Sequence, residues 1–244
     1  MLYRPLFWTS YWCEDWMFSS KYRGANQILI SSASSKTAFC LAYLIKKRIA
    51  KGDIWNITLT GITSKRNLEF TRGLHLYDEV LEYDSFTSLN PTSGNGKWVY
   101  ADVAGNEKLN ERVFLHFGSN LVAGIALGLT NLSPSAPDAS SIKWSTNTFT
   151  DTPSAAVEKM ELEQFFMPEW LNLRRHQLSI AEIGVLQNQA WEDLMRDCGS
   201  WVKIKHISGG DAVKSTYGKV AKGGLGPDEG MIWSLWDGQP SSRL

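Results

Sequence analysis

Short apolar segments alternate with helical patterns through the first half of this 244-residue chain. The apolar segments are rich in aliphatic and β-branched residues and are bounded by turn residues, which is typical of buried β-strands. Regular alternation with helices predicts βαβ units, and the continuous apolar runs favour a parallel sheet that is covered on both faces. The fold class is therefore predicted to be α/β, with a doubly wound parallel sheet. The predicted strands are residues 27–31, 56–64, 78–84, 96–105 and 121–130.

Helical patterns fill the intervals between these strands and continue after them. The helix that follows the first strand ends on Lys46, Lys47 and Arg48, which suit the negative end of a helix dipole. Pro168 interrupts a later helical pattern and is expected to break it. A strand, a short helix and a terminal strand are expected beyond residue 200. The predicted helices are residues 6–19, 37–50, 65–72, 107–117, 155–166 and 182–196.

The charge and cysteine content exclude several classes of function. With 25 basic and 25 acidic side chains the chain has no net charge, so nucleic acid and membrane surfaces are not expected partners. Three widely spaced cysteines do not form a disulfide framework, which favours a reducing, cytoplasmic setting. CxxC and HExxH motifs are missing, so no metal site is expected. The aromatic N-terminus is too interrupted by charges to be a signal peptide or a membrane-spanning helix.

The turn between the first strand and its helix, "SSASSKT", is the strongest chemical signal. A strand, tight turn and helix direct backbone N–H groups and the positive helix end at one point, which favours an anion. The turn contains no glycine, although the usual dinucleotide fingerprint does; hydroxyl groups and an ammonium group take those places. The candidate phosphate-binding residues are Ser32, Ala33, Ser34, Ser35, Lys36 and Thr37.

Two other interpretations of this turn remain open. Ser32 and Ser34 are also suited to cap the helix with no further role. The Lys36-Thr37 pair resembles the end of a mononucleotide P-loop, but both of its glycines are missing. That second interpretation would leave Asp102 as the candidate magnesium ligand.

The end of the second strand indicates which dinucleotide is preferred. In a doubly wound sheet an acidic residue here selects the free 2′-hydroxyl of NAD, and basic residues accommodate the 2′-phosphate of NADP. The sequence has Thr63, Ser64, Lys65 and Arg66 at this point and no carboxylate, so it favours NADP. The alternative is that the two cations belong to a solvated helix start.

The segments "SSASSKTA", "GITSKRN", "YDEVLEYD" and "VYADVAGN" together resemble the DUF2855 family of fungi and bacteria. That family is similar to the cofactor-binding part of medium-chain dehydrogenases/reductases such as quinone oxidoreductases. The resemblance spans nearly the whole chain and implies a Rossmann-like fold with NADP(H) as the cofactor. It implies that Tyr83 lies beside the adenine, and that Gly128 and Thr130 lie beside the nicotinamide. The turn over the nicotinamide ribose would be formed by Asp102, Val103, Ala104 and Gly105.

The resemblance also implies a domain organisation. Residues 1–132 would form the dinucleotide-binding domain, residues 133–153 a Ser/Pro/Thr-rich loop or lid, and residues 154–244 C-terminal helices and closing strands on the same domain. Medium-chain reductases carry an N-terminal GroES-like domain that forms one wall of the active-site cleft. We expect this domain to be missing from the chain.

The expected function is that of an NADP(H)-dependent, zinc-independent reductase of a small carbonyl, quinone or enone substrate. Hydride transfer is the chemistry of the cofactor, so the protein must position the ring and supply a proton donor. The candidate donors are Tyr11 and Tyr217. The alternative is a non-catalytic nucleotide-binding or protein-interaction module whose exposed N-terminal aromatic residues contact a partner. A homodimer is left open.

Overall fold

The computed structural model describes residues 3–54, 56–127 and 162–236. The chain divides into two compact units, residues 3–183 and residues 184–244. The predicted lid, residues 133–153, lies outside the described residues.

The first unit is built on a six-stranded sheet in which every pairing is parallel. The strand order is β3-β2-β1-β4-β5-β6, so the direction of winding reverses between β1 and β4. All four residues of β1 are buried, as a central parallel strand requires. The predicted α/β class and doubly wound sheet are confirmed. The strands are β1 Gln27–Ile30, β2 Thr58–Thr63, β3 Glu79–Glu82, β4 Trp98–Asp102, β5 Leu121–Ala126 and β6 Glu163–Gln164.

Helices alternate with the strands, and most of them begin close to their predicted positions. Ser35 caps the N-terminus of α2, and Gly52 ends that helix with a φ of 78°, a conformation that favours glycine. Most of α1 packs against α2, which buries Phe7, Trp12 and Trp16. These N-terminal aromatic residues therefore do not form the exposed contact surface that the non-catalytic alternative expected. The helices are α1 Arg4–Ser19, α2 Lys36–Lys51, α3 Leu68–Gly73, α4 Glu107–Phe117, α5 Met167–Arg174 and α6 Ile180–Asp197.

The prediction around Pro168 is wrong in two respects. Pro168 lies in the first turn of α5 and does not interrupt a helix. Proline is tolerated at this position, because the N–H groups of the first turn of a helix have no intrahelical acceptor. Residues 163 and 164, expected to be helical, form strand β6 beside β5. Pairing with a sheet edge overrides local helix propensity there.

A buried ion pair joins α1 to α2. The Glu14 carboxylate is buried and accepts two hydrogen bonds from Arg48, at 2.6 Å from Nε and 2.7 Å from Nη2. It also accepts a hydrogen bond from the Tyr22 hydroxyl. Burial, followed by the Glu14 charge, raises the pKa of Tyr22, so this hydroxyl stays a proton donor.

The same contacts hold a strained turn. Lys21, Tyr22 and Arg23 have φ values of 51°, 51° and 54°, a left-handed conformation that costs about 1–2 kcal/mol for each residue. The Tyr22–Glu14 hydrogen bond and an ion pair of 2.6 Å between Arg23 and Glu163 stabilise this turn at both sides.

The second unit contains the predicted strand, helix and strand. β7 Lys203–Ser208 and β8 Glu229–Ser234 pair in parallel, and α7 Gly210–Gly223 connects them. Within the described residues, no helix has the length and apolar character needed to cross a bilayer.

We expect Glu14→Gln to lower the free energy of unfolding by about 3 kcal/mol, because it removes the buried partner of Arg48 and leaves the more distant and more exposed Asp53 carboxylate, at 3.7 Å. Urea denaturation followed by circular dichroism measures this loss. The matched control is Asp84→Asn, which removes an ion pair to Arg112 in which Asp84 is 90% exposed. That change is expected to cost less than about 1 kcal/mol. Equal losses in the two variants would contradict the role given to Glu14.

Candidate functional site

A cleft of about 540 Å³ opens at the carboxyl ends of the strands, in the first unit. The turn after β1 forms one wall, and the turn after β4 together with the start of α4 forms the other. In doubly wound sheets, ligands bind in the crevice where the strand order reverses, which here lies between β1 and β4. The residues that line the cleft are Ser32, Ser35, Thr37, Tyr83, Val103, Ala104, Asn106, Lys108, Leu109 and Arg112.

The turn after β1 keeps a tight shape although it has no glycine. Ser32 has a φ of 51°, the left-handed conformation that glycine usually supplies. The Ser35 N–H donates to the Ser32 carbonyl at 2.7 Å, and the Ala33 N–H donates to the Ile62 carbonyl at 3.0 Å. The Ser35 hydroxyl then accepts the Ala38 N–H at 3.3 Å and caps α2. The first turn of a 16-residue helix therefore begins at the cleft.

A glycine that permits this turn lies in the neighbouring strand. A Cβ atom on Gly61 would be 2.8 Å from the Ala33 Cβ and 2.9 Å from Tyr77 Cδ1, closer than side chains pack. Tyr77 also donates a hydrogen bond of 2.9 Å to the Ala33 carbonyl. Because β2 has no side chain at position 61, the turn can lie against it.

The side chains of Ser34 and Thr63 form a hydrogen bond with each other. The buried Ser34 hydroxyl accepts from Thr63 Oγ1 at 3.1 Å and from Asn67 Nδ2 at 3.0 Å. These bonds connect the turn to the end of β2. Ser34 and Thr63 do not belong to the described lining of the cleft.

Lys65 and Arg66 lie on the short 3-10 turn Lys65–Asn67, which follows β2 and Ser64. Both side chains are exposed. They too stand outside the described lining, so their proposed contact with a 2′-phosphate stays a prediction.

The buried carboxylate of Asp102 joins the two walls of the cleft. Its Oδ1 accepts from the Ser31 hydroxyl at 3.0 Å and from the Gly105 N–H at 2.9 Å. Its Oδ2 accepts from Asn110 Nδ2 at 2.8 Å. Both oxygens are thus engaged by protein donors, and a magnesium ion would have to displace them.

Ser31 completes this network from the side of β1. Its hydroxyl accepts the backbone N–H groups of Val103, at 2.9 Å, and Ala104, at 3.0 Å. The turn predicted to lie over the nicotinamide ribose is therefore held by the residue that follows β1. At the other end, the Tyr100 hydroxyl donates to Asn110 Oδ1 at 2.8 Å. Burial, then the Asp102 charge, raises the pKa of Tyr100, which keeps it a donor.

Tyr83 and Arg112 close one side of the cleft. Burial raises the pKa of Tyr83, and hydrogen bonding with Ser32 opposes this shift. Arg112 donates to the Tyr83 carbonyl at 3.2 Å and to Asp84 Oδ1 at 3.2 Å. Its guanidinium lies 5.2 Å from the centre of the Phe86 ring.

Sequence reasoning missed the contribution of α4 to the cleft. Asn106 caps this helix by accepting the Leu109 N–H at 3.1 Å. Lys108 and Arg112 follow at helical spacing, so they project from one face. The sequence did contain a signal for this contribution, namely the helix predicted at residues 107–117 directly after "DVAG". A helix that follows a central parallel strand begins at the edge of the sheet where the turn after β1 also lies.

The other predicted site residues lie elsewhere. Tyr11 packs against Phe7, Trp8 and Trp12, with ring centres 6.2, 6.3 and 5.0 Å away. Burial, then the Asp15 charge, raises the pKa of Tyr11 to about 12. Tyr217 is exposed on α7 in the second unit.

Gly128 and Thr130 lie outside the described residues. Among those that are described, no three His, Cys, Asp or Glu side chains group closely enough to hold a metal ion.

Residues 1–226 match the family described as "Protein of unknown function (DUF2855)". The chain belongs to the DUF2855 family. No curated protein matches this DUF2855 sequence significantly.

Three solved structures are similar to the DUF2855 chain. The YhdH oxidoreductase of Salmonella enterica in complex with NADP is 12% identical, with a TM-score of 0.44, over 91% of this chain and 60% of that chain. E. coli K-12 YhdH with bound NADPH is 13% identical, with a TM-score of 0.42, over 93% of this chain and 61% of that chain. Bacillus subtilis YhfP with NAD bound is 11% identical, with a TM-score of 0.44, over 93% of this chain and 60% of that chain. The DUF2855 chain thus spans about 60% of the length of these proteins.

We expect Asp102→Asn to lower the free energy of unfolding by about 2 kcal/mol, because the new amide would turn a donor toward the donor of Asn110 or Gly105. Combining it with Asn110→Asp exchanges donor and acceptor between the two positions and is expected to recover most of the loss. Urea denaturation of the wild type, both single variants and the double variant measures the coupling. Additive losses in the double variant would contradict the network.

Proposed function

We propose that this DUF2855 protein binds NADP(H) in the cleft and is the cofactor-binding part of a zinc-independent reductase of a carbonyl, quinone or enone. One observation carries the proposal: the left-handed Ser32 brings the N-terminus of α2 to the crevice between β1 and β4. A helix N-terminus at this crevice is the arrangement that holds a dinucleotide pyrophosphate.

The residues around the cleft fit a diphosphate. Ser35 and Thr37 line it with hydroxyl groups, which can donate hydrogen bonds to phosphate oxygens. Lys36 is the first residue of α2, lies between Ser35 and Thr37 in sequence, and is the cation proposed for the diphosphate. Acidic residues do not occur among the described lining residues, which favours an anion there.

The opposite wall suits the nucleoside part of the ligand. Tyr83 offers ring surface for the adenine, and Val103 lines the cleft in the turn proposed to lie over the nicotinamide ribose. Ala104 and Gly105 belong to the turn that Ser31 and Asp102 hold rigidly, and this rigidity lowers the entropic cost of ordering a bound ribose.

The bound cofactor would supply the hydride, and the chain would position it and deliver a proton. Tyr11 stays a candidate donor in the first unit, although it does not belong to the described lining of the cleft. Tyr217, Gly128 and Thr130 stay predictions for the active site.

A non-catalytic module is the second candidate function. The second unit exposes four large apolar side chains that are close in sequence, Ile232, Trp233, Leu235 and Trp236, and exposed apolar surface often marks a protein contact. Binding of NADPH without its oxidation by a panel of quinones, enones and aldehydes would favour this candidate. A homodimer remains a prediction under either function.

We expect wild-type protein to bind NADPH, and Ser35→Asp to weaken this binding at least about tenfold. Aspartate caps a helix as well as serine does, but its carboxylate would repel the diphosphate across the cleft. Quenching of the tryptophan fluorescence during NADPH titration measures the dissociation constant.

The matched control is Ser35→Thr, which keeps both the cap and the neutral hydroxyl. It is expected to bind NADPH within about threefold of the wild type, because a threonine cap is only slightly weaker. Thermal unfolding confirms that both variants are folded. No binding by the wild type at millimolar NADPH would overturn the proposed function.

A further inference from the structure

A second cavity, of about 290 Å³, lies at the amino ends of the strands of the first unit. Gln27, Thr58 and Glu79 line it, and each is the first residue of its strand, in β1, β2 and β3. Because these strands pair in parallel, this edge of the sheet lies opposite the cleft at the carboxyl ends. Independently of the proposed function, we propose that the cavity binds a small polyhydroxy molecule that carries an ammonium group.

The face of the sheet beside the cavity changes from apolar to polar toward its amino edge. Leu29 and Ile62 belong to the buried core cluster. Because side chains alternate between faces along a strand, Gln27 lies on the face of Leu29 in β1, and Thr60 lies on the face of Ile62 in β2. Leu29 and Thr60 are partners in the register. An amide and a hydroxyl therefore occupy positions where aliphatic side chains would continue the core.

Gln27 and Thr60 are buried polar side chains without partners in the described protein. Gln27 is 8% exposed and Thr60 is 1% exposed. In the part of the chain that the structure describes, neither the Gln27 amide nor the Thr60 hydroxyl forms a hydrogen bond. Buried polar side chains are hydrogen-bonded in the large majority of cases, and an unsatisfied one is costly. Both side chains line the cavity, so a molecule bound there would supply the missing partners.

The connection between β3 and β4 leaves the space for this cavity. Parallel strands are usually connected by a helix, but residues 83–97 contain one 3-10 turn, Phe86–Ser88, as their regular structure. The Trp98 Nε1 group donates to the Pro91 carbonyl at 2.9 Å, which holds the loop over the amino end of β4. The wall is therefore formed before a ligand arrives, and this lowers the entropic cost of binding. The loop adds Ser88, Asn90 and Ser93 to the lining.

The lining favours a ligand with hydroxyl groups. An amide and a hydroxyl each donate and accept hydrogen bonds, and so do the hydroxyl groups of a polyol. Thr58, Ser88 and Ser93 add further hydroxyl groups around Gln27 and Thr60. The volume lies near the lower end of the ~300–1,000 Å³ range of ligand pockets, so the cavity suits a molecule of monosaccharide size.

Glu79 gives the cavity its charge. Its carboxylate is the acidic group of the described lining, which contains no basic side chain, and it forms no ion pair with the described residues. An ammonium group on the ligand would therefore be attracted to it. Glu79 is exposed, so water and salt screen this attraction and the preference for a cation is modest.

The test uses two probes, sorbitol and glucamine, which is sorbitol with an amino group in place of one terminal hydroxyl. Isothermal titration calorimetry measures the affinity for each probe. The variants of the lining are Thr60→Val, the double variant Gln27→Met with Thr60→Val, and Glu79→Gln. The matched controls are Thr87→Val in the same loop and Glu82→Gln on the same strand as Glu79, and neither position belongs to the described lining.

We expect the wild type to bind glucamine in the millimolar range and sorbitol about threefold more weakly, because an exposed ion pair contributes little. Thr60→Val should weaken glucamine about fivefold through one lost hydrogen bond, and the double variant should abolish saturable binding. Glu79→Gln should remove the preference for glucamine, and both controls should keep wild-type affinities. Without ligand, Thr60→Val should melt at or above the wild-type temperature, because it loses a polar group that has no partner in the described protein.

Three results would overturn the proposal. No saturable heat with glucamine in the wild type, or an unchanged affinity in Thr60→Val, would mean that water alone fills the cavity. A lower melting temperature of unliganded Thr60→Val would mean that the hydroxyl has a structural partner. Equal affinities of the wild type for the two probes would overturn the assignment of an ammonium group to the ligand.

An NADPH titration of the same proteins separates this proposal from the proposed function. The cavity and the cleft lie at opposite edges of the sheet, so NADPH affinity should stay within about twofold of the wild type in every cavity variant. If the wild type binds glucamine but not NADPH, the proposed function fails and the cavity site stands. If it binds NADPH but not glucamine, the reverse holds.

Discussion

The hydrogen bond between Ser31 and Asp102 connects the carboxyl ends of β1 and β4, the two strands between which the sheet reverses its winding. A crevice must open at this point because the crossover connections leave in opposite directions. The Asp102 carboxylate holds the crevice at a fixed width by accepting bonds from both sides. Because the network is buried and its acceptors are filled, it makes the connection between the two walls more rigid.

The turn after β1 shows how a tight strand-turn-helix shape can form without the glycines of the usual dinucleotide fingerprint. Three requirements are separable: a left-handed residue, close packing on the neighbouring strand, and a helix start. Ser32 meets the first at a cost in backbone strain. Gly61 meets the second from β2, and Ser35 meets the third as the cap of α2. The result is a turn whose hydroxyl groups, and not glycine backbone alone, face the cleft.

Local patterns were a reliable guide wherever burial and turn chemistry agreed. The limits of α4, Glu107–Phe117, follow directly from the sequence, because the apolar positions, the N-terminal cap and the C-terminal end all indicate the same limits. Strand β6 does not follow from the sequence, since it forms only by pairing with the edge of β5. The same reason explains Pro168, whose effect depends on whether a helix begins or continues there.

The sequence by itself determined the α/β class, the turn that begins the site and the cations at the end of β2, because these depend on residues adjacent in the chain. Only the tertiary structure decided that Ser34 and Thr63 bond to each other, that Asp102 is a structural acceptor, and that Lys108 and Arg112 line the cleft. Those facts depend on which strands become neighbours. Strand order sets distances between residues up to 80 positions apart, and no local pattern encodes it.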